Sequence, residues 1–96
     1  MKKFVFLPVG YETPTKEIMD AWMKWFETIK DKTVDGGNPF GPGREITSAG
    51  TKDLPHNKDA ITGYVIINAK DMDEAEEIAK SCPHISGMRV YEAMSM

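Results

Sequence analysis

Between Gly36 and Gly43 the chain reads GGNPFGPG, and six of those eight residues are glycine or proline. Proline removes a backbone donor and glycine opposes helix, so neither a regular helix nor a central strand passes through this stretch. It divides a chain of 96 residues into two parts, each of which must build its own elements. A chain this short is expected to form one domain. It buries only about 60–65% of its unfolded surface, which leaves a small core and favours a partner subunit. An irregular loop this long in so small a domain is characteristically functional or mobile.

Ahead of the loop, KFVFLPVG is a continuous apolar run. Such runs mark strands covered on both faces, and a strand over Phe4-Val9 is predicted. Pro8 and Gly10 end it. Two lysines before an apolar run resemble a signal peptide, but the run is short, Pro8 interrupts it, and no small-residue cleavage site precedes Glu12. ETPTKEIMDAWMKWFETIKDK then reads as a helix. Thr13 is the predicted cap, Pro14 the first helical position, and Glu17 complements the positive helix end. Ile18, Trp22, Trp25, Phe26 and Ile29 recur at helical spacing, and Met19 and Met23 widen their stripe. That arc implies either a contact beyond the helix's own sheet or one large core with partly exposed tryptophans.

A short strand is expected at Lys32-Gly36, then the turning loop, then a hairpin in which Arg44-Ser48 is one arm. AITGYVIINA is the clearest strand, over residues 60–69. Ile61, Val65, Ile67 and Ala69 are predicted to face helices, and Thr62, Tyr64, Ile66 and Asn68 the other side. That second face is half polar and suits a cavity wall or a subunit contact. DMDEAEEIAKSCP is a second helix, capped by Asp71 with Glu74 three residues on. Met72, Ala75, Ile78, Ala79 and Cys82 are its predicted buried stripe, and Pro83 ends it. GMRVYEAMSM closes the chain as a strand. The predicted order is β, α, β, hairpin, β, α, β: an α+β fold.

Candidate chemistry is sparse. Twelve basic and fifteen acidic residues give a net charge of −3 without a concentrated basic face, which argues against nucleic acid. No stretch approaches the length of a membrane span. The single cysteine suits a reducing cytoplasm. Cys82 stands two residues from His84, yet it lies on an apolar helix stripe at a C-terminus, where the dipole opposes a thiolate. It reads as a core cysteine. One cysteine and two distant histidines make no recognisable metal set, so no metal or cofactor is expected. His84, just past the helix end, can reach an anionic ligand when protonated. His56 reads as an exposed loop residue. GGNPFGPGR lacks the Lys-Ser/Thr ending and following helix of a phosphate loop. It better suits a shaped loop presenting Asn38 and Arg44 beside a pocket, with Asp35 as the best-placed acid. Met88, Met94 and Met96 read as packing filler.

ITGYVIINAKDMDEAEEIAKSCPHI, followed by MRVYEAM, resembles the second half of YCII-related proteins, including the branch called DGPF-domain proteins. FVFLPVGYETPTKEIMDAW and VDGGNPFGPG fit the layout of that branch, so the resemblance spans nearly the whole chain. It implies a ferredoxin-like βαββαβ unit that pairs into a dimeric α+β barrel, with the sheet faces away from the helices enclosing a pocket near the subunit interface. It also implies small-molecule enzymes, with dehydrochlorination of a chlorinated ring diol as one activity and a His/Asp pair at the site in some members. This sequence departs from that pattern twice. The first helix has no histidine, and GTKDLPHNKDAIT stands where the DGPF motif would precede Gly63-Tyr64. Asp35 alone carries over from the pair.

Two functions are therefore expected to compete. One is a cytoplasmic homodimeric enzyme of lyase or isomerase type. Asp35 would be acid or base, Arg44 and Asn38 would hold the ligand, and Tyr64, Asn68 or His84 would orient it. The other is a non-catalytic ligand-binding or partner-binding module using the same pocket.

Overall fold

The computed structural model describes residues 1–83 and 86–95. Its elements are β1 (Lys2–Val9), α1 (Lys16–Ile29), a 3-10 turn (Lys30–Lys32), β2 (Thr33–Asp35), β3 (Gly43–Thr47), β4 (Gly50–Leu54), β5 (Val65–Ala69), α2 (Met72–Lys80) and β6 (Gly87–Ala93). Strands β2, β5, β1 and β6 form one sheet in that order, and all three pairings are antiparallel. This is the ferredoxin-like α+β arrangement, with β3 and β4 as a separate hairpin inserted between its halves. No helix among the described residues is long and apolar enough to cross a membrane.

Alternation along β1 organises the core. Phe4 and Phe6 are fully buried, as are Ile67 and Ala69 on β5. In register, Phe4 pairs with Ile67 and Phe6 with Val65, which places these side chains on one face. Trp25 and Ile29 of α1 and Ala75 and Ala79 of α2 fill the same core, so both helices cover that face. Val5 and Leu7 point oppositely and are half-buried, as is Ile66 beside Val5. The apolar run of β1 is thus sealed on one side within the chain, not on two.

Helix α1 starts later than the proline rule indicates. Thr15, not Thr13, is the cap: its hydroxyl accepts the Ile18 N–H at 3.2 Å, and Pro14 lies outside the helix. Helix α2 begins as predicted, with Asp71 Oδ1 accepting the Glu74 N–H at 2.9 Å. The Glu74 carboxylate reaches back one residue further than the usual box and accepts from the Lys70 N–H. Small residues at Ala75 and Ala79 let α2 lie close on the sheet. Met72, placed on the buried stripe by spacing, is 44% exposed: it is the first residue of α2, and burial on this helix begins at Ala75. The helices are tied at their ends: Trp25 Nε1 donates to Ser81 Oγ at 2.9 Å, and Ser81 Oγ donates to the Ile78 carbonyl. Cys82 is buried, as its position on the stripe predicts. Met88 packs on the core as expected, but Met94 is 73% exposed, lying past the end of β6, and Met96 lies outside the described residues.

Candidate functional site

The segment predicted as one strand over 60–69 enters the sheet only at Val65. Ahead of that point it is held by two isolated bridges, Val9 to Ile61 and Pro39 to Gly63. The Thr62 N–H donates to the Pro8 carbonyl, and the Phe40 N–H donates to the Thr62 carbonyl. Residues 60–64 are therefore strung between the end of β1 and the glycine-rich loop. Ile61, expected to face the helices, is instead 37% exposed.

Glycine makes that loop approach possible. Gly37 adopts φ +72°, and a β-carbon there would overlap the Tyr64 carbonyl. Its N–H donates to Asp35 Oδ1 at 2.8 Å, an Asx-type turn that fixes the carboxylate. The other carboxylate oxygen, Oδ2, accepts from the Tyr64 hydroxyl at 3.3 Å. Phe40 stacks on the Tyr64 ring with centroids 5.8 Å apart.

These contacts shape one side of a cavity of about 440 Å³. Ile18, Met19, Trp22, Met23 and Phe26 of α1 form a second side, and the chain from Pro8 to Glu12 a third. The wide apolar arc of α1 thereby finds its explanation. Trp25 and Ile29 face the sheet, while Trp22 and Phe26 join the core's margin and also line the cavity. Met19 and Met23 stand more than half exposed at its rim.

The structure brings Asp35, Asn38 and Tyr64 to this place. Asn38 and Tyr64 line the cavity, and Asp35 is held behind Tyr64. Arg44 lies on β3, where its Nε pairs with Asp53 Oδ1 across the hairpin at 3.2 Å, and it is not among the lining residues. Asn68 is also outside the lining. It pairs with Lys3 on the sheet face opposite the core. His84 lies outside the described residues. His56, read from sequence as merely exposed, is half-buried in the cavity wall. No local signal marks it, because its place depends on long-range backbone bonds from Gly10 and Tyr11 to Ala60 and Asn57.

The YCII-related domain matches residues 6–96. The chain belongs to the YCII-related family. Among solved structures it is similar to 5-chloro-2-hydroxyhydroquinone dehydrochlorinase (TftG) from Burkholderia phenoliruptrix AC1100, in complex with 2,5-dihydroxybenzoquinone. The match has a TM-score of 0.54 at 15% identity and covers 96% of this chain and 93% of that one. At that identity the likeness concerns the fold. No match was found among curated proteins. Within its YCII-related fold, the chain carries a phenol–carboxylate pair beside an aromatic cavity and, among the described residues, no group of acids, cysteines and histidines arranged to hold a metal.

Proposed function

We propose that this YCII-related protein is an enzyme of lyase or isomerase type acting on a small, flat, oxygen-bearing organic substrate in this cavity. The observation that carries the reading is the Tyr64–Asp35 hydrogen bond at the margin of an otherwise apolar, aromatic-walled space. Tyr64 spends its only proton on Asp35, so its oxygen is left to accept from a substrate hydroxyl. As that proton moves to Tyr64, the tyrosine's own proton moves to Asp35. An isomerase returns the proton to a different substrate atom; a lyase loses it together with the leaving group. The structural likeness to a dehydrochlorinase supports the second course.

The test is chloride release from 5-chloro-2-hydroxyhydroquinone, alongside ketone–enol exchange in unchlorinated analogues. Asp35→Asn is expected to lower kcat/KM by about 10²- to 10⁴-fold, the usual range for losing a general acid–base group. Tyr64→Phe removes the oxygen through which the proton passes and is expected to cost at least as much as Asp35→Asn, with stability changed by less than about 1 kcal/mol because the pair is exposed. Full activity in Asp35→Asn overturns the enzymatic role. A non-catalytic binder is the second reading, favoured by Asp35 standing outside the lining itself. Binding without turnover selects it.

A homodimer is part of the proposal. Val5, Leu7 and Ile66 are half-buried on the sheet face opposite the core, and Tyr91, paired with Val5, is 56% exposed. A second copy laid on this face would cover them. Sedimentation at micromolar concentration is expected to show a dimer that Leu7→Lys dissociates; a wild-type protein running only at 10.8 kDa refutes it. A cytoplasmic location belongs to the same proposal, supported by the single cysteine.

A further inference from the structure

The cavity has a second polar feature apart from the Asp35–Tyr64 pair. The His56 and Tyr11 rings meet with centroids 3.9 Å apart and planes tilted by 47°. Both residues line the cavity. Their juxtaposition is built, not incidental. The Tyr11 N–H donates to the Asn57 carbonyl at 2.8 Å, and the Gly10 N–H donates to the Ala60 carbonyl at 2.7 Å. Asn57 Oδ1 in turn accepts the Asp59 N–H at 2.9 Å, which shapes the turn that carries His56. Three hydrogen bonds of the neighbouring residues thus fix the segment that brings the half-buried His56 to the cavity wall.

Among the described residues, neither imidazole nitrogen takes part in a hydrogen bond, and Tyr11 meets the imidazole only as a tilted ring contact. The cavity that this imidazole lines is mostly apolar, with Trp22, Met23 and Phe26 among its walls and Glu12, Asn38 and Thr62 among its few polar groups. A polar group partly withdrawn from water gains when a ligand supplies the missing bond. Imidazole can donate from one nitrogen and, when neutral, accept at the other, so it suits a hydroxyl or a carbonyl oxygen equally.

We infer that His56, held by Tyr11, is a specificity-determining ligand contact: it reads an oxygen substituent on a flat ring whose other oxygen is read by Tyr64. The inference rests on the proposed use of this cavity for a flat oxygen-bearing molecule and adds the requirement for a second oxygen. It assigns the two ring pairs, Tyr11–His56 and Phe40–Tyr64, parallel tasks. In each, one aromatic ring steadies a neighbour that carries the polar atom.

The probes are benzene-1,4-diol and 4-methylphenol, which differ by one hydroxyl. Titration of the whole protein, followed by backbone amide and imidazole proton resonances, measures both affinities. The wild type is expected to bind the diol about tenfold more tightly. His56→Phe keeps a ring against Tyr11 and is expected to abolish that preference while leaving 4-methylphenol affinity unchanged. His56→Gln, which retains a donor and an acceptor, is expected to restore part of it. In the wild type, the His56 ring protons should shift with the diol far more than with the monophenol. That reading decides the matter even where a variant folds poorly. Equal affinities in the wild type and His56→Phe, or His56 resonances indifferent to the diol, overturn the inference while the cavity reading stands. Failure of the wild type to bind either probe removes both.

Discussion

Phe6→Ala is expected to destabilise the protein by about 3–5 kcal/mol, the cost of removing a buried aromatic ring and leaving a cavity behind. Phe6 is fully buried on the central strand β1, beside Val65 on β5 and Val90 on β6, and its ring stacks on Trp25 at 6.3 Å. Few neighbours are free to collapse into the gap, because two of them are fixed by the strand ladder and one by the Trp25–Ser81 hydrogen bond. A domain of this size has only about 5–15 kcal/mol of stability, so a large share disappears. Val5→Ala, one position away, is the control. Val5 is half-buried on the opposite face, and its truncation should cost about 1 kcal/mol. Urea denaturation measures both, and comparable losses at the two positions would contradict the one-sided burial of β1.

Gly37→Ala is expected to cost about 2–4 kcal/mol and to abolish probe binding, because a positive φ and a backbone clash coincide there. The added carbon would overlap the Tyr64 carbonyl and press on the Tyr64 ring at 3.3 Å. A backbone atom cannot swing aside as a flexible side chain can, so the loop must lift away from residues 62–64. Lifting breaks the Gly37-to-Asp35 bond and withdraws the carboxylate from Tyr64. Gly36→Ala supplies the comparison, since a carbon there meets nothing within 4 Å. Thermal melting and diol titration of the two variants separate a specific loop requirement from general sensitivity. A Gly37→Ala protein as stable as Gly36→Ala would show that the close approach does not exist.

The fold was legible wherever one local rule acted without competition. The Asp71 cap and the glycine-proline break each acted alone, the apolar run of β1 marked a strand but not its one-sided burial, and their order gave the βαββαβ frame. Competition between rules produced the errors. Thr13-Pro14-Thr15 offers two threonines, and placing proline first in the helix selected the wrong one, whereas the Thr15 hydroxyl bonds Ile18. Residues 61–64 have strand composition, but the loop and the end of β1 capture them by separate bridges. Within the site, the grouping of Asp35, Asn38 and Tyr64 was visible because a glycine-rich loop beside a half-polar strand needs little further information. His56 was invisible. Its half-buried place is set by Gly10 and Tyr11, more than forty positions earlier, and no periodicity or capping pattern encodes a contact at that range.

The central position of β1 also has a consequence for biosynthesis. Phe4 pairs with Ile67 on one side and Glu92 on the other, so neither neighbouring strand exists until synthesis has entered the final third of the chain. At about 5–20 residues per second, the 63 positions between Phe4 and Ile67 take about 3–13 s to synthesise. Throughout that interval the most apolar segment of the protein has no edge to join, while α1 can form only as an isolated helix. The nascent chain is thus at its stickiest early, and folding becomes possible almost all at once when β5 and β6 emerge. Faster translation of the middle of the message should therefore raise the soluble yield more than any improvement to the surface of the finished fold.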